Sequence, residues 1–149
     1  MSFDDTKIKE ANEELETRLA KDRSDWKTSI QELVQKLKNV RELSDCQVNM
    51  LSYRQMLLDK ITDLKSVIYR RNTTYEKYYK TQYREYTLNY DLKLTGSEKH
   101  QFIKADLGAL RNQIDILQSH IDYYQECIKT LDNMAFAIRN RIRLEEEQI

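Results

Sequence analysis

Proline is absent from this 149-residue chain, and glycine occurs only twice, at Gly96 and Gly108. A β-sandwich or barrel needs both residues at its many corners, so that class is excluded. A doubly wound α/β domain needs glycine-rich strand-to-helix turns, which are missing as well. No stretch approaches the run of about 20 apolar residues that crosses a bilayer. The opening residues Met1-Ser2-Phe3-Asp4-Asp5 have neither a basic flank nor an apolar segment, unlike a secretion signal. Cys46 and Cys127 are isolated, without the spacing of a zinc site or a disulfide framework, which points to a reducing cytoplasm. His100 and His120 lie apart from any nucleophile or Glu-flanked zinc pattern, and no glycine loop could cradle a phosphate. No enzyme and no cofactor are therefore expected, and His120 reads as a partly exposed structural residue.

What remains is helix. From Ile103 the apolar positions run Leu107, Leu110, Ile114, Leu117, Ile121, Tyr124, Ile128, Leu131, Ala135, Ile138 and Ile142, in alternating steps of four and three. That is the seam of a coiled-coil-like helix, expected from about Ser97 to about Arg143. Thr95 with Glu98 three residues on has the pattern of a capping box at its start. A second seam, Leu57, Ile61, Leu64, Ile68, Tyr75, Tyr79, Tyr86 and Tyr90, is expected to break at Asn72-Thr73-Thr74, which are poor helix formers. A third, more polar stripe (Leu15, Leu19, Trp26, Ile30, Leu33, Leu37, Val40) lies in a helix expected from Asp4 to Leu43, with a phase slip near Trp26.

The expected architecture is all-α: long amphipathic helices in a hairpin or bundle, with a coiled-coil-like C-terminal helix and room for a short extended connector. One domain, 1–149, divides into an N-terminal segment (1–45), a basic, tyrosine-rich segment (46–90), a connector (91–96) and an assembly helix (97–144). The chain offers more apolar seam than a few helices would cover. Ile114, Leu117, Ile121, Tyr124, Ile128, Leu131 and Ile138 are thus the expected oligomerisation residues, and assembly above a dimer is expected.

Charge is balanced at 25 basic and 25 acidic residues, but unevenly spread. Residues 65–90 hold Lys65, Arg70, Arg71, Lys77, Lys80 and Arg84 against Glu76 and Glu85, together with seven of the ten tyrosines. Cations interleaved with flat aromatic rings suit single-stranded nucleic acid, which offers phosphates and exposed base faces. Lys80, Arg84, Lys77, Arg70, Arg71, Tyr79 and Tyr83 are the candidate contacts. Six phosphate contacts would give a salt slope of about −4. The plainer reading makes the tyrosines core and the cations a solvated face.

From about Tyr53 to Ile142 the chain also resembles the UvsY family of recombination mediators from T-even-like bacteriophages, in their cyanophage form. The resemblance rests on the stretch from Tyr75 to Tyr86 and on Asp91-Leu92-Lys93-Leu94-Thr95. It continues in Phe102-Ile103-Lys104-Ala105-Asp106, in Leu117 to Tyr124, and in Asn133 to Ile142. It implies a non-enzymatic factor that binds single-stranded DNA and loads a phage recombinase onto DNA covered by the phage single-strand-binding protein. It further implies a homo-oligomeric ring, a heptamer in that family, working in the cytoplasm of an infected host cell. The family's Leu-Lys-Ala-Arg-Leu motif corresponds here to Tyr79-Lys80-Thr81-Gln82-Tyr83. Lys80 is retained, Gln82 stands where the arginine is expected, and Arg84 is a candidate substitute. The first 50 residues lie outside the resemblance.

The alternative is a structural or adaptor coiled-coil protein that oligomerises without binding nucleic acid. A membrane-surface helix fits less well, because no dense lysine face opposes a leucine-rich one.

Overall fold

The computed structural model describes residues 5–147, and among these every regular element is helical. In chain order they are α1 (Asp5–Lys36), a 3-10 turn (Val40–Glu42), α2 (Leu43–Leu88), α3 (Gly96–Asp106) and α4 (Gly108–Glu147). No described residue adopts a positive φ, so neither Gly96 nor Gly108 is required for its left-handed freedom.

Three boundaries differ from the sequence reading, each for a local reason. α1 ends at Lys36 rather than Leu43. Asn39 then takes an extended conformation and its Oδ1 accepts from Arg41 N–H at 3.1 Å, starting a fresh turn in the manner of a capping residue. α2 passes through Asn72-Thr73-Thr74 without a break. The hydroxyls of Thr73 and Thr74 donate to the carbonyls four residues back, at 3.1 and 3.0 Å, so the helix absorbs the groups that compete with it. The expected C-terminal helix is divided at Leu107, whose φ of −100° and ψ of 13° lie outside helical values. Its N–H still reaches Ile103 at 2.9 Å and its carbonyl still accepts from Arg111 at 3.0 Å, so the ladder is bent rather than lost. The connector, residues 89–95, has no strand. The capping box at Thr95 and Glu98 forms as expected, both bonds at 3.2 Å.

The described residues form two compact units: 5–17 with Leu64–Ser119, and Arg18–Asp63 with 120–147. In the first, Ile103 and Leu107 are fully buried, with Leu110, Ile114 and Leu117 below 5% exposed. Asn12 donates to the Ala109 carbonyl at 2.9 Å. The α2–α3 hairpin closes on Asp106, which accepts from the Tyr86 hydroxyl and, at 3.3 Å, from Gln82 Nε2.

The second unit packs three helical segments. α2 runs antiparallel to α1: the Cys46 thiol points at the Leu33 carbonyl and Trp26 meets Tyr53 edge-on at 5.6 Å. α4 runs parallel to α1, where Asp22 meets His120 and Arg141 donates to the Leu37 carbonyl at 2.7 Å. Every seventh residue of α1 is buried (Asn12, Leu19, Trp26, Leu33), so the periodicity does not slip. The apparent slip is Asp22, a carboxylate occupying a seam position.

Asp22 anchors a polar layer. Its Oδ2 accepts from His120 Nε2 at 3.0 Å and from the Tyr124 hydroxyl, and Lys60 lies 3.8 Å from Oδ1. Arg23, which can only donate, sits 3.2 Å from His120 Nδ1. Nδ1 therefore accepts, and the ring proton resides on Nε2. His120 is completely buried, contrary to the partial exposure expected for it. The polar partner that makes this tolerable sits 98 residues away in sequence.

The seam of α4 is closed within the chain. Ile114, Leu117, Ile121, Tyr124, Leu131 and Ile138 are each 4% exposed or less, and Ile128 is half-buried. These residues, expected to join copies, form the chain's own core. A second stripe beside them, Gln113, His120, Cys127 and Met134, is buried too, because α4 presents two flanks rather than one.

Candidate nucleic-acid interface

The site belongs to the first unit and is shaped by what the hairpin turns inward. Asp106 draws Gln82 and Tyr86 of α2 toward α3, and Phe102 packs against Tyr86 with ring centroids 5.8 Å apart. Burial, and then the hydrogen bond to Asp106, push the Tyr86 hydroxyl up to about 12, so it remains a donor. With Gln82 and Tyr86 committed to α3, helical geometry directs Lys80 and Arg84, four residues apart, to a common outer face. There they line an open groove of about 570 Å³ with Tyr79, Tyr83, Thr87, Leu88 and His100.

This answers the question that Gln82 raises. An arginine at that position would face Asp106 inside the hairpin, whereas Arg84 shares the groove with Lys80.

The remaining candidates extend along α2. At about 100° per residue, Arg70, Lys77, Lys80 and Arg84 fall within an arc of about 80°, with Arg71 about 100° from Arg70. The four span about 21 Å at 1.5 Å per residue, and neither Glu76 nor Glu85 lies inside the arc. All five cations are exposed, and no ion pair or hydrogen bond of their side chains occurs among the described residues. Only Lys80 and Arg84 line the groove; Lys77, Arg70 and Arg71 do not.

The aromatic residues divide by depth. Tyr86 fastens the hairpin, whereas Tyr83 is 37% exposed and Tyr79 half-buried. Tyr75, Tyr79 and His100 follow one another at 6.2 and 5.6 Å between centroids, and Tyr83 lies 5.7 Å from His100. Lys99 Nζ sits 5.1 Å from the Tyr83 ring centre. His100 and Lys99 escaped sequence reasoning, because only the fold of the hairpin places α3 beside Tyr79 and Tyr83.

Elsewhere the chemistry is quiet. Burial raises the Cys46 and Cys127 thiols above their ordinary value, which keeps them protonated and poor nucleophiles. Among the described residues no group of three or more His, Cys, Asp or Glu could hold a metal ion. No helix among them is long and apolar enough to cross a membrane. A smaller, more enclosed groove of about 420 Å³ in the second unit is lined by Met50, Leu51, Arg54, Leu131, Asp132 and Arg139, among others.

Protein-family models, curated proteins and solved structures provide no match to this chain. Fold and surface together define an all-α chain with an exposed cationic helix face beside exposed aromatic rings.

Proposed function

We propose that this chain binds single-stranded DNA along the outer face of α2, without enzymatic activity. In keeping with its UvsY-like resemblance, it serves phage recombination in the cytoplasm of an infected cell. There it would load the phage recombinase onto DNA occupied by the phage single-strand-binding protein. The observation that carries the reading is the groove in which Lys80 and Arg84, both exposed and without a carboxylate partner among the described residues, stand beside Tyr79 and Tyr83. Assembly into a ring, a heptamer in the resembling family, is part of the proposal. It has to use surface outside the α4 seam, which is already buried in one chain.

The test is fluorescence anisotropy with a labelled oligo-dT across a range of salt. Four phosphate contacts from Arg70, Lys77, Lys80 and Arg84 give a slope of about −3, at about 0.7 per contact on single strands. Changing Lys80 and Arg84 together to alanine lowers that slope by about 1.4 and leaves helicity intact. Binding that ignores salt, or that favours duplex, removes the proposal.

The adaptor alternative draws on the second unit, where Leu51, 66% exposed, lines the smaller groove and Phe136 is 61% exposed. It gains if oligo-dT does not bind.

A further inference from the structure

Nothing in the sequence assigned His100 a role beyond failing to complete a catalytic set. Its setting suggests another. The ring is exposed, lines the groove, and neither nitrogen has a hydrogen-bond partner among the described residues. It lies within 27° of the Tyr79 plane and 45° of the Tyr83 plane. Besides the contacts of this ring, the hairpin is fastened by Asp106 to Gln82 and Tyr86, by Phe102 and by the Thr95 capping box. Lys80 and Arg84 of α2 line the same groove and Lys99 Nζ of α3 sits over one face of the Tyr83 ring, so a phosphate chain drawn to these cations would run beside the rings.

We infer that His100, together with Tyr83, is a nucleobase-stacking platform, and that α3 thereby supplies the base-contacting wall of the groove whose phosphate-contacting wall is α2. This rests on the single-stranded DNA reading and deepens it: the site would hold unpaired bases, not phosphates alone. Bases within a duplex are stacked on one another and cannot lie on the rings, which explains a preference for single strands without any sequence readout.

The experiment compares oligo-dT with an abasic oligonucleotide of equal length. The unaltered chain is expected to bind oligo-dT about tenfold more tightly, the order of one stacked base. His100→Ala should lower oligo-dT affinity toward the abasic value with the salt slope unchanged. His100→Phe, which keeps a flat ring, should restore it, and melting curves should show both variants folded. If His100→Ala binds oligo-dT as tightly as before, or weakens both oligonucleotides equally, the stacking role is overturned. A continued loss with Lys80→Ala/Arg84→Ala would then preserve the wider reading. If the unaltered chain binds neither oligonucleotide, both proposals fall together.

Discussion

His120 shows how much one buried side chain can determine. Burial holds its imidazole below the ordinary value, the Asp22 hydrogen bond opposes this, and the positive charges of Arg23 and Lys60 add to the fall. The folded state therefore favours the neutral ring, and the unfolded chain binds the proton more readily. Its contribution to stability is complete above the unfolded value near 6.5 and is lost as pH falls through that value toward the lower folded one. Thermal unfolding between pH 7.5 and 5.5 should show the midpoint dropping, and the drop should shrink in His120→Gln. Removing the acceptor is harsher. Asp22→Ala leaves the His120 and Tyr124 donors buried without a partner, at a cost of about 3 kcal/mol in denaturant unfolding.

The elements owe their lengths to small local bonds. Because α2 is continuous through Thr73 and Thr74, replacing both by alanine exchanges two poor helix formers for the best one. Stability should rise by about 1 kcal/mol, and a calorimetric midpoint that stays put would argue for a break there. Thr95→Ala removes one half of the capping box of α3, with an expected loss of about 1 kcal/mol. That loss should be accompanied by weaker oligo-dT binding, since α3 carries His100 into the groove. The bend at Leu107 has another character. A Cβ at Gly108 would meet nothing within 4 Å, so Gly108→Ala is sterically open and should straighten nothing essential.

For the molecule as a whole, the decisive feature is where the α4 seam goes. With Ile121 only 1% exposed in a single chain, Ile121→Asp buries an unpaired carboxylate, costs about 4 kcal/mol or more, and should unfold the chain. Circular dichroism alongside light scattering separates the possibilities. Loss of helicity is expected, whereas a folded particle of smaller mass would mean that the seam joins copies after all. The three-helix unit also carries its polar layer at one level of α1, α2 and α4, through Asp22, Lys60 and His120. With His120 buried and Asp22 and Lys60 partly exposed, such a layer favours one register, because sliding α4 by one turn parts His120 from its acceptor.

Scarcity of glycine and proline, together with seams of period 3.5, was enough to establish helices, their approximate extents and the capping box at Thr95, because these depend on neighbours within a turn or two. The same local reasoning located the cations and tyrosines of residues 65–90. It could not tell that Asn39 would start a new turn where no glycine or proline marks one, or that Asp22 was a seam residue rather than a slip in phase. Both depend on what the folded chain sets beside them. The division of α2 into an inward side at Gln82 and Tyr86 and an outward side at Lys80 and Arg84 was decided by Asp106, on another helix. Burial of His120 and the closing of the α4 seam were decided in the same way, by partners about a hundred residues distant. Periodicity marks which face of a helix is apolar; only tertiary packing supplies the surface that covers it.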